Sequence, residues 1–175
     1  SSLNRFYLFL LVLAVGGGGL LYWQVQRGVP SIPANVTVTA ADTAGFQGYF
    51  LGNADAPVVI TEYADYQCPG CQTFDMVQFP DIVRQLIETG QVRWRYRDFP
   101  LNMHPFARLA SHAAACADDQ DRYWPLHAKI YQGQAQWSIE SEPSGTFRGY
   151  AEQVGLDLKA YDACMMSAKY AGRIQ

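Results

Sequence analysis

The sequence predicts an α/β domain carried behind an apolar N-terminal helix, and three observations predict it. Two strand-like stretches, Val58 to Tyr63 and Val92 to Arg97, flank a segment of helical periodicity and describe one β-α-β unit. The chain beyond His104 is helical in pattern almost to its end. From Phe6 to Trp23 no residue is charged, with Arg5 before the run and Arg27 after it. At 175 residues, 49% of them hydrophobic, the chain has material for one globular unit plus attachments. A net charge of −3 provides no basic footprint, which argues against a nucleic-acid partner.

At about 1.5 Å per residue, a helix over Phe6 to Trp23 approaches the ~30 Å hydrocarbon thickness of a bilayer. Residues 1–27 therefore read as a transmembrane anchor that meets lipid through residues 6–23. Tyr22 and Trp23 suit an interfacial belt, and Gly16 to Gly19 leaves a face where another helix could come close. A cleaved signal peptide is the competing reading; the run exceeds a usual h-region and no small-x-small site follows at once. Residues 28–52, rich in Pro, Thr, Ala and Gly, read as a linker in which Val36 to Thr39 could form a short edge strand. The folded domain is expected over residues 53–175.

Within that domain, the helix after Cys71 offers Phe74, Val77, Ile82, Val83, Leu86 and Ile87 for burial and should stop at Gly90. Pro80 predicts a kink or a split, with Asp81 suited to start the second piece. Val92 to Arg97 alternates strictly, placing Arg93, Arg95 and Arg97 on a solvated face. His104 to Asp118 and Arg122 to Tyr131 read as helices, Thr146 as the cap of a third ending at Gly155. Asp157 should cap the last helix, which buries Leu158, Tyr161, Cys164 and Ala168. Gln132 to Gly145 has no clear period and reads as a loop. His104, His112 and His127 fit packing or capping roles, and Trp94, Trp124 and Trp137 fit core or interface positions.

The chemistry lies in Cys68-Pro69-Gly70-Cys71. Two thiols separated by two residues can close a small ring and pass two electrons to another protein. Here the apolar Val58-Val59-Ile60 leads through seven residues into the pair, and a helix follows. A helix N-terminus presents unpaired N–H groups and the positive end of the macrodipole, which favours a thiolate at Cys68. Zinc would use the same spacing, but a structural site wants four ligands, and Cys116 and Cys164 stand far apart in sequence. A plain structural disulfide between Cys68 and Cys71 would gain little from chain entropy across so short a loop. Redox exchange is the reading that uses the spacing.

With these residues in view, the chain resembles the DsbA-like, thioredoxin-fold family of extracytoplasmic thiol–disulfide oxidoreductases, in particular its membrane-anchored bacterial members. The matching stretches are Asp55-Ala56-Pro57, Glu62 through Cys71, and Arg97-Asp98-Phe99-Pro100-Leu101. Further matches are His104-Pro105-Phe106-Ala107, Cys116-Ala117, Tyr123-Trp124-Pro125-Leu126-His127, and Gly155-Leu156-Asp157 followed by Cys164. The resemblance covers residues 52 to 175. It implies a thioredoxin-like fold with a helical insertion, Cys68 as the attacking thiol and Cys71 as the resolving one. It also implies that Glu62, six residues before Cys68, is a partly buried acid that moves a proton near Cys71. The alternative for Glu62 is a strand residue pointing to solvent. Cys116 and Cys164, on the apolar faces of their helices, are expected to form a structural disulfide; two free buried thiols are the alternative.

The family continues past the helical insertion into a cis-proline loop, two strands and a terminal helix. No proline follows Pro143, so the expectation is a domain incomplete at its C-terminus. The leading functional expectation is a membrane-anchored protein-disulfide oxidoreductase exchanging disulfides with protein thiol substrates, without a bound cofactor, and reset by a membrane redox partner. A single arginine on each flank does not orient the anchor, but the cysteines call for an oxidising compartment. That places a single-pass protein in the bacterial inner membrane with its domain on the periplasmic side. The alternative is an accessory subunit of a respiratory or photosynthetic membrane complex with a thioredoxin-like cap.

Overall fold

The computed structural model describes residues 2–26 and 43–174. Helix α1 (Ser2–Gln26) carries the apolar run, and its described side chains are exposed. Among the described residues no helix is long and apolar enough to cross a membrane. Residues 28–42, with the expected Val36 to Thr39 strand, lie outside the described residues, as do the side chains of Tyr22 and Trp23.

Strands β1 (Tyr49–Leu51), β2 (Val58–Ala64) and β3 (Val92–Asp98) form a sheet in the order β1-β3-β2, with β2 parallel and β1 antiparallel to β3. The domain therefore starts earlier than residue 53: Tyr49, assigned to the linker from sequence, pairs with Tyr96 and is buried. Three strand residues between two positive-φ glycines, Gly48 and Gly52, are too few to show a period of two. Val92, Trp94 and Tyr96 point to the covered face. Parallel register pairs Ile60 with Trp94 and Glu62 with Tyr96, so Glu62 occupies a core-facing position on β2. The opposite face is half-buried rather than simply solvated. Arg93 lies 4.0 Å over the Phe50 ring, Arg95 Nε donates to Thr61 Oγ1 (2.8 Å), and Arg97 Nη1 donates to the Phe46 carbonyl (3.2 Å).

After Cys68 one helical run passes through α2 (Pro69–Thr73), π-helical Phe74–Gln78, α3 (Phe79–Ile82) and π-helical Val83–Ile87. Pro80 does not break it. The ladder widens ahead of the proline, with Phe79 N–H bonding to Phe74 O, and so takes up a residue that has no N–H to give. The wider turns also shift the phase: Asp75 and Phe79 face inward, whereas Val77, expected in the core, is 66% exposed.

Five helices form the covering layer: α4 (Ala107–Asp118), α5 (Tyr123–Gln132), α6 (Gln134–Trp137), α7 (Ser144–Gln153) and α8 (Leu158–Ser167). Helix α4 is buried almost all round, and Ala110, Ala113, Ala114 and Ala117 let its neighbours approach closely. Helix α6 occupies part of the stretch expected to be a loop, because Trp137 is buried against Phe147. Thr146 is not a cap: α7 begins at Ser144, and the Thr146 hydroxyl donates to the Glu140 carboxylate (2.8 Å). Asp157 caps α8, accepting from the N–H groups of Lys159 and Ala160. A disulfide joins Cys116 of α4 to Cys164 of α8 with a Cα separation of 5.8 Å.

Two stability predictions follow from this layer. Replacing both Cys116 and Cys164 by Ala removes a crosslink spanning 48 residues, and chemical denaturation should show a loss of roughly 4 kcal/mol in the chain-entropy picture. At the end of β3, the carboxylate oxygens of Asp98 are closed to solvent although other parts of the residue are not. Burial pushes this carboxyl up to about 6, with the Ser111 hydroxyl and the Arg173 charge pulling the other way. A carboxyl raised on folding stabilises most fully below its unfolded value, and that contribution is lost as pH rises through about 6. Relative to Asp98→Asn, the native chain should lose roughly 2 kcal/mol between pH 4 and pH 7, whereas parallel pH curves would rule this out.

Candidate active site

The site is assembled where β2 hands over to α2. Asp65, just past the strand, accepts from the N–H groups of Gln67 and Leu101 (both 2.7 Å) and pairs with His104 Nδ1 (2.8 Å). Cys68 N–H turns back to the Asp65 carbonyl (3.1 Å), and Gln72 N–H bonds to the Cys68 carbonyl (3.1 Å). From the covering layer, Gln134 Nε2 donates to the carbonyls of Tyr66 (2.6 Å) and Cys68 (3.0 Å). Beside it, Gly133 leaves room for the Tyr150 ring, since a Cβ there would lie 1.9 Å from the Tyr150 hydroxyl. The backbone carrying the first thiol is thus held from both sides.

Cys68 takes the N-cap position, with φ −75° and ψ 121°, and Pro69 starts the helix. No side chain caps this end, so the free N–H groups of the first turn face the Cys68 side of the site. Cys71 lies one turn in, and the two sulfurs stand unbonded and half-buried. Burial pushes the Cys71 thiol up to about 11; a backbone hydrogen bond from Asp65 opposes the shift and the neighbouring Cys68 sulfur adds to it.

Glu62 joins them. Its core-facing position on β2 raises its carboxyl through burial, while the Trp94 indole N–H, 3.1 Å from Oε2, holds the ionised form. The solvent-pointing alternative is excluded by the register of β2 on β3. Glu62, Cys68, Cys71, Phe74 and Trp94 line one open cleft of about 370 Å³ beside the free edge of β2. A half-buried acid, a helix-start thiol and a raised buried thiol in one cleft can pass a proton and a disulfide bond between them.

Cys116 and Cys164 belong elsewhere, in the covering layer. His112 approaches both, and the three ligand atoms lie within 4.8 Å of one another. The sulfurs are bonded to each other, however, and His112 Nε2 accepts the Tyr170 N–H (3.2 Å), so the set offers a cation no free thiolate pair. Burial and the Arg173 charge push His112 down to about 4. The sequence analysis missed Gln134, Asp65 and the pairing of His127 with Asp75, all defined by long-range contacts. The signal for Glu62 was present: in Val58-x-Ile60-x-Glu62-x-Ala64 it is the one charged residue at an inward position.

Comparison with known proteins agrees with this geometry. Residues 46–175 match the family described as Thioredoxin. The chain is 34% identical over 124 residues to the Na(+)/H(+) antiporter NhaA 3 of Salinispora tropica, covering 70% of this chain and 18% of the antiporter. It is also 34% identical over 86 residues to disulfide bond formation protein D of Bacillus subtilis, covering 48% of this chain and 38% of that protein. The chain thus spans well under half the length of either curated relative. Among solved structures, oxidised BdbD from Bacillus subtilis superposes with a TM-score of 0.63 at 26% identity, over 71% of this chain and 69% of that one. Wolbachia pipientis alpha-DsbA1 gives 0.64 at 25% identity, over 71% and 62%. On the family match, the relatives and the shared fold together, the chain belongs to the thioredoxin family, among its DsbA-like thiol–disulfide oxidoreductases.

Proposed function

We propose that this chain is the redox module of an extracytoplasmic thiol–disulfide oxidoreductase, tethered to the membrane through residues 6–23. The observation that carries the reading is the cleft in which Cys68, Cys71 and Glu62 meet. In the oxidising direction a substrate thiolate attacks Cys68 Sγ of the closed pair. A new S–S bond forms to Cys68, the old one breaks, and its electron pair leaves on Cys71. A thiol as raised as Cys71 takes up a proton readily, and the Glu62 carboxyl supplies it. A second substrate thiolate then attacks the substrate sulfur of the mixed disulfide, releasing Cys68 and an oxidised substrate. The reduced pair is returned to the disulfide by a membrane redox partner. Protein thiols are the substrates that fit, since the cleft is open and lined on its rim by the exposed side chain of Tyr63.

The charge-free run Phe6 to Trp23 within α1 supports the tether, and the Cys116–Cys164 disulfide supports an oxidising, periplasmic setting. The folded module takes in residues 46–174, joined to the tether by the segment before it.

The exchange reading is tested with the oxidised chain and a reduced peptide. Cys68→Ser should abolish exchange, Glu62→Gln should slow turnover about 10²-fold, the usual scale for a lost acid–base group, and Cys71→Ser, whose lone Cys68 thiol has no internal partner, should trap the mixed disulfide when offered a peptide disulfide instead. Undiminished exchange by Cys68→Ser would refute the assignment. The buried thiol has its own signature. At pH 8 only about one part in a thousand of Cys71 is thiolate if its thiol titrates near 11. In Cys68→Ser protein the neighbouring sulfur no longer adds to the shift but burial still does, so iodoacetamide alkylation of Cys71 should climb about tenfold per pH unit from pH 7 and level off only above the range of an ordinary thiol. A plateau below pH 9 would contradict the burial.

A further inference from the structure

Gln134, the first residue of α6, is 4% exposed, and its side chain ends against the backbone that carries the first thiol. Both groups that it meets, the carbonyls of Tyr66 and Cys68, are acceptors. The amide nitrogen must therefore face them, and both of its N–H bonds are spent there (2.6 and 3.0 Å). The Cys68 carbonyl also takes the Gln72 N–H (3.1 Å), and the Cys68 N–H goes to the Asp65 carbonyl (3.1 Å). Every backbone polar group of Cys68 is thus bonded, and its carbonyl accepts twice. We propose that Gln134 is a positioning residue for the exchange: by donating to the Cys68 carbonyl it favours negative charge on Cys68 Sγ, and so draws the pair toward its open, reduced form. The inference rests on the exchange reading given above.

A carbonyl oxygen carries partial negative charge, and covalent geometry keeps that of Cys68 within a few ångströms of the sulfur of the same residue. Left bare in a half-buried setting it would oppose a thiolate there, and a donor on each lone pair offsets it. One donor, the Gln72 N–H, belongs to the helix itself. The other comes from a side chain 66 residues away. Its effect falls on one step of the cycle. When the second substrate thiolate attacks the substrate sulfur of the mixed disulfide, an S–S bond forms within the substrate, the bond to Cys68 breaks, and its electron pair leaves on Cys68 Sγ. Charge then appears beside the carbonyl that Gln134 holds. In the first attack the electron pair leaves on Cys71 instead, and both N–H bonds of Gln134 are spent elsewhere.

The fold holds Gln134 where it can do this. Trp137 Nε1, one turn further along α6, donates to the Ile130 carbonyl (2.7 Å) and folds α6 back against α5. A second glutamine spans the same gap in the opposite sense: Gln72 Nε2 donates to the Tyr131 carbonyl (3.0 Å), near the end of α5 where helix carbonyls lack partners of their own. The Gln72 side chain thus ties the helix of the redox pair to the covering layer, as Gln134 does, but gives nothing to the Cys68 carbonyl. Comparing the two separates a tie that only holds the layers together from one that also bears on the sulfur.

The test measures the equilibrium of the pair with reduced and oxidised glutathione in the full chain, counting open and closed forms by mass after thiol alkylation. Gln134→Met keeps the length of the side chain and removes the donor; it should shift the constant about tenfold toward the disulfide, the scale of one hydrogen bond. Gln72→Met, which cuts the other tie, should leave the constant where it is. With a reduced peptide, Gln134→Met should keep the first attack near its native rate and slow release of the oxidised peptide, so that the mixed disulfide accumulates. Should Gln134→Met fail to fold, Gln134→His, with one ring N–H to donate, should give a smaller shift in the same direction. An unchanged constant on loss of the Gln134 donor, or equal shifts at positions 134 and 72, would overturn the inference, since a tie that merely holds the fold together acts alike on the open and closed pair. A native chain that exchanges no peptide thiols would refute the exchange reading instead, while the glutathione equilibrium still decides whether Gln134 favours the open pair.

Discussion

Asp65, Tyr66 and Gln67 hold the hydrogen bonds that the rest of the domain leans on. The Asp65 carboxylate gathers the N–H groups of Gln67 and Leu101 and the ring of His104, tying the end of β2 to the segment that follows β3. Gln67 reaches the opposite way, its Oε1 accepting the Phe106 N–H (2.8 Å) at the entrance to α4. Hydrogen bonds to an ionised group contribute about 1.5–3 kcal/mol each, so this junction is stiff on the scale of a domain's net stability. A stiff junction is what a two-thiol site needs, because movement of the backbone by a fraction of a bond length changes which sulfur can be reached. Gln134, arriving from α6, completes the restraint by holding the carbonyls of Tyr66 and Cys68.

The interior next to this junction is unusually rich in tyrosine. Tyr66, Tyr96, Tyr123 and Tyr131 are all buried, and their hydroxyls bond to one another and to His127. Phenylalanine would fill the same volume at less risk, since a buried hydroxyl without a partner costs more than it contributes. Full pairing turns that liability into a polar layer of defined geometry between the sheet and α5. The two thiols meet this layer unequally. Cys68 stands at the mouth of the helix, while Cys71 lies against the layer, and burial sets its proton apart from solvent.

The covering helices are held by different means. Alanines on α4 allow close packing with little side-chain entropy to lose, and the Cys116–Cys164 bond fastens α8 to it. The last described residues pack back over this region. Arg173 stacks between the rings of Phe46 and Tyr170, 4.0 and 3.8 Å away, and donates to the Tyr49 hydroxyl (2.8 Å). One cation thus joins the start of the domain to its far end, and a planar guanidinium suits that role better than an ammonium.

The order of the elements was legible from local pattern: alternation in Val92 to Arg97, an apolar run before the cysteines, the Asp157 cap and the close Cys68–Cys71 spacing are all written within a few residues. Strand β1 was not, because three residues cannot display a period. The helix after Cys71 was read in the wrong phase at Val77, because turns of i→i−5 bonding do not follow the 3.6-residue rule that the reading assumed. Glu62 lay between these cases, its inward position implied by the spacing of Val58, Ile60 and Ala64 but decided only when β2 paired with β3. Gln134, Asp75 and His127 carry no local signal at all, since each owes its role to a partner more than fifty residues away in the chain. The sequence by itself determined which thiols stand together and at what kind of helix start, since those are matters of spacing. Tertiary structure alone decided how deeply the acid behind them is buried and which side chain bonds to it, because burial and contact arise only when distant segments pack.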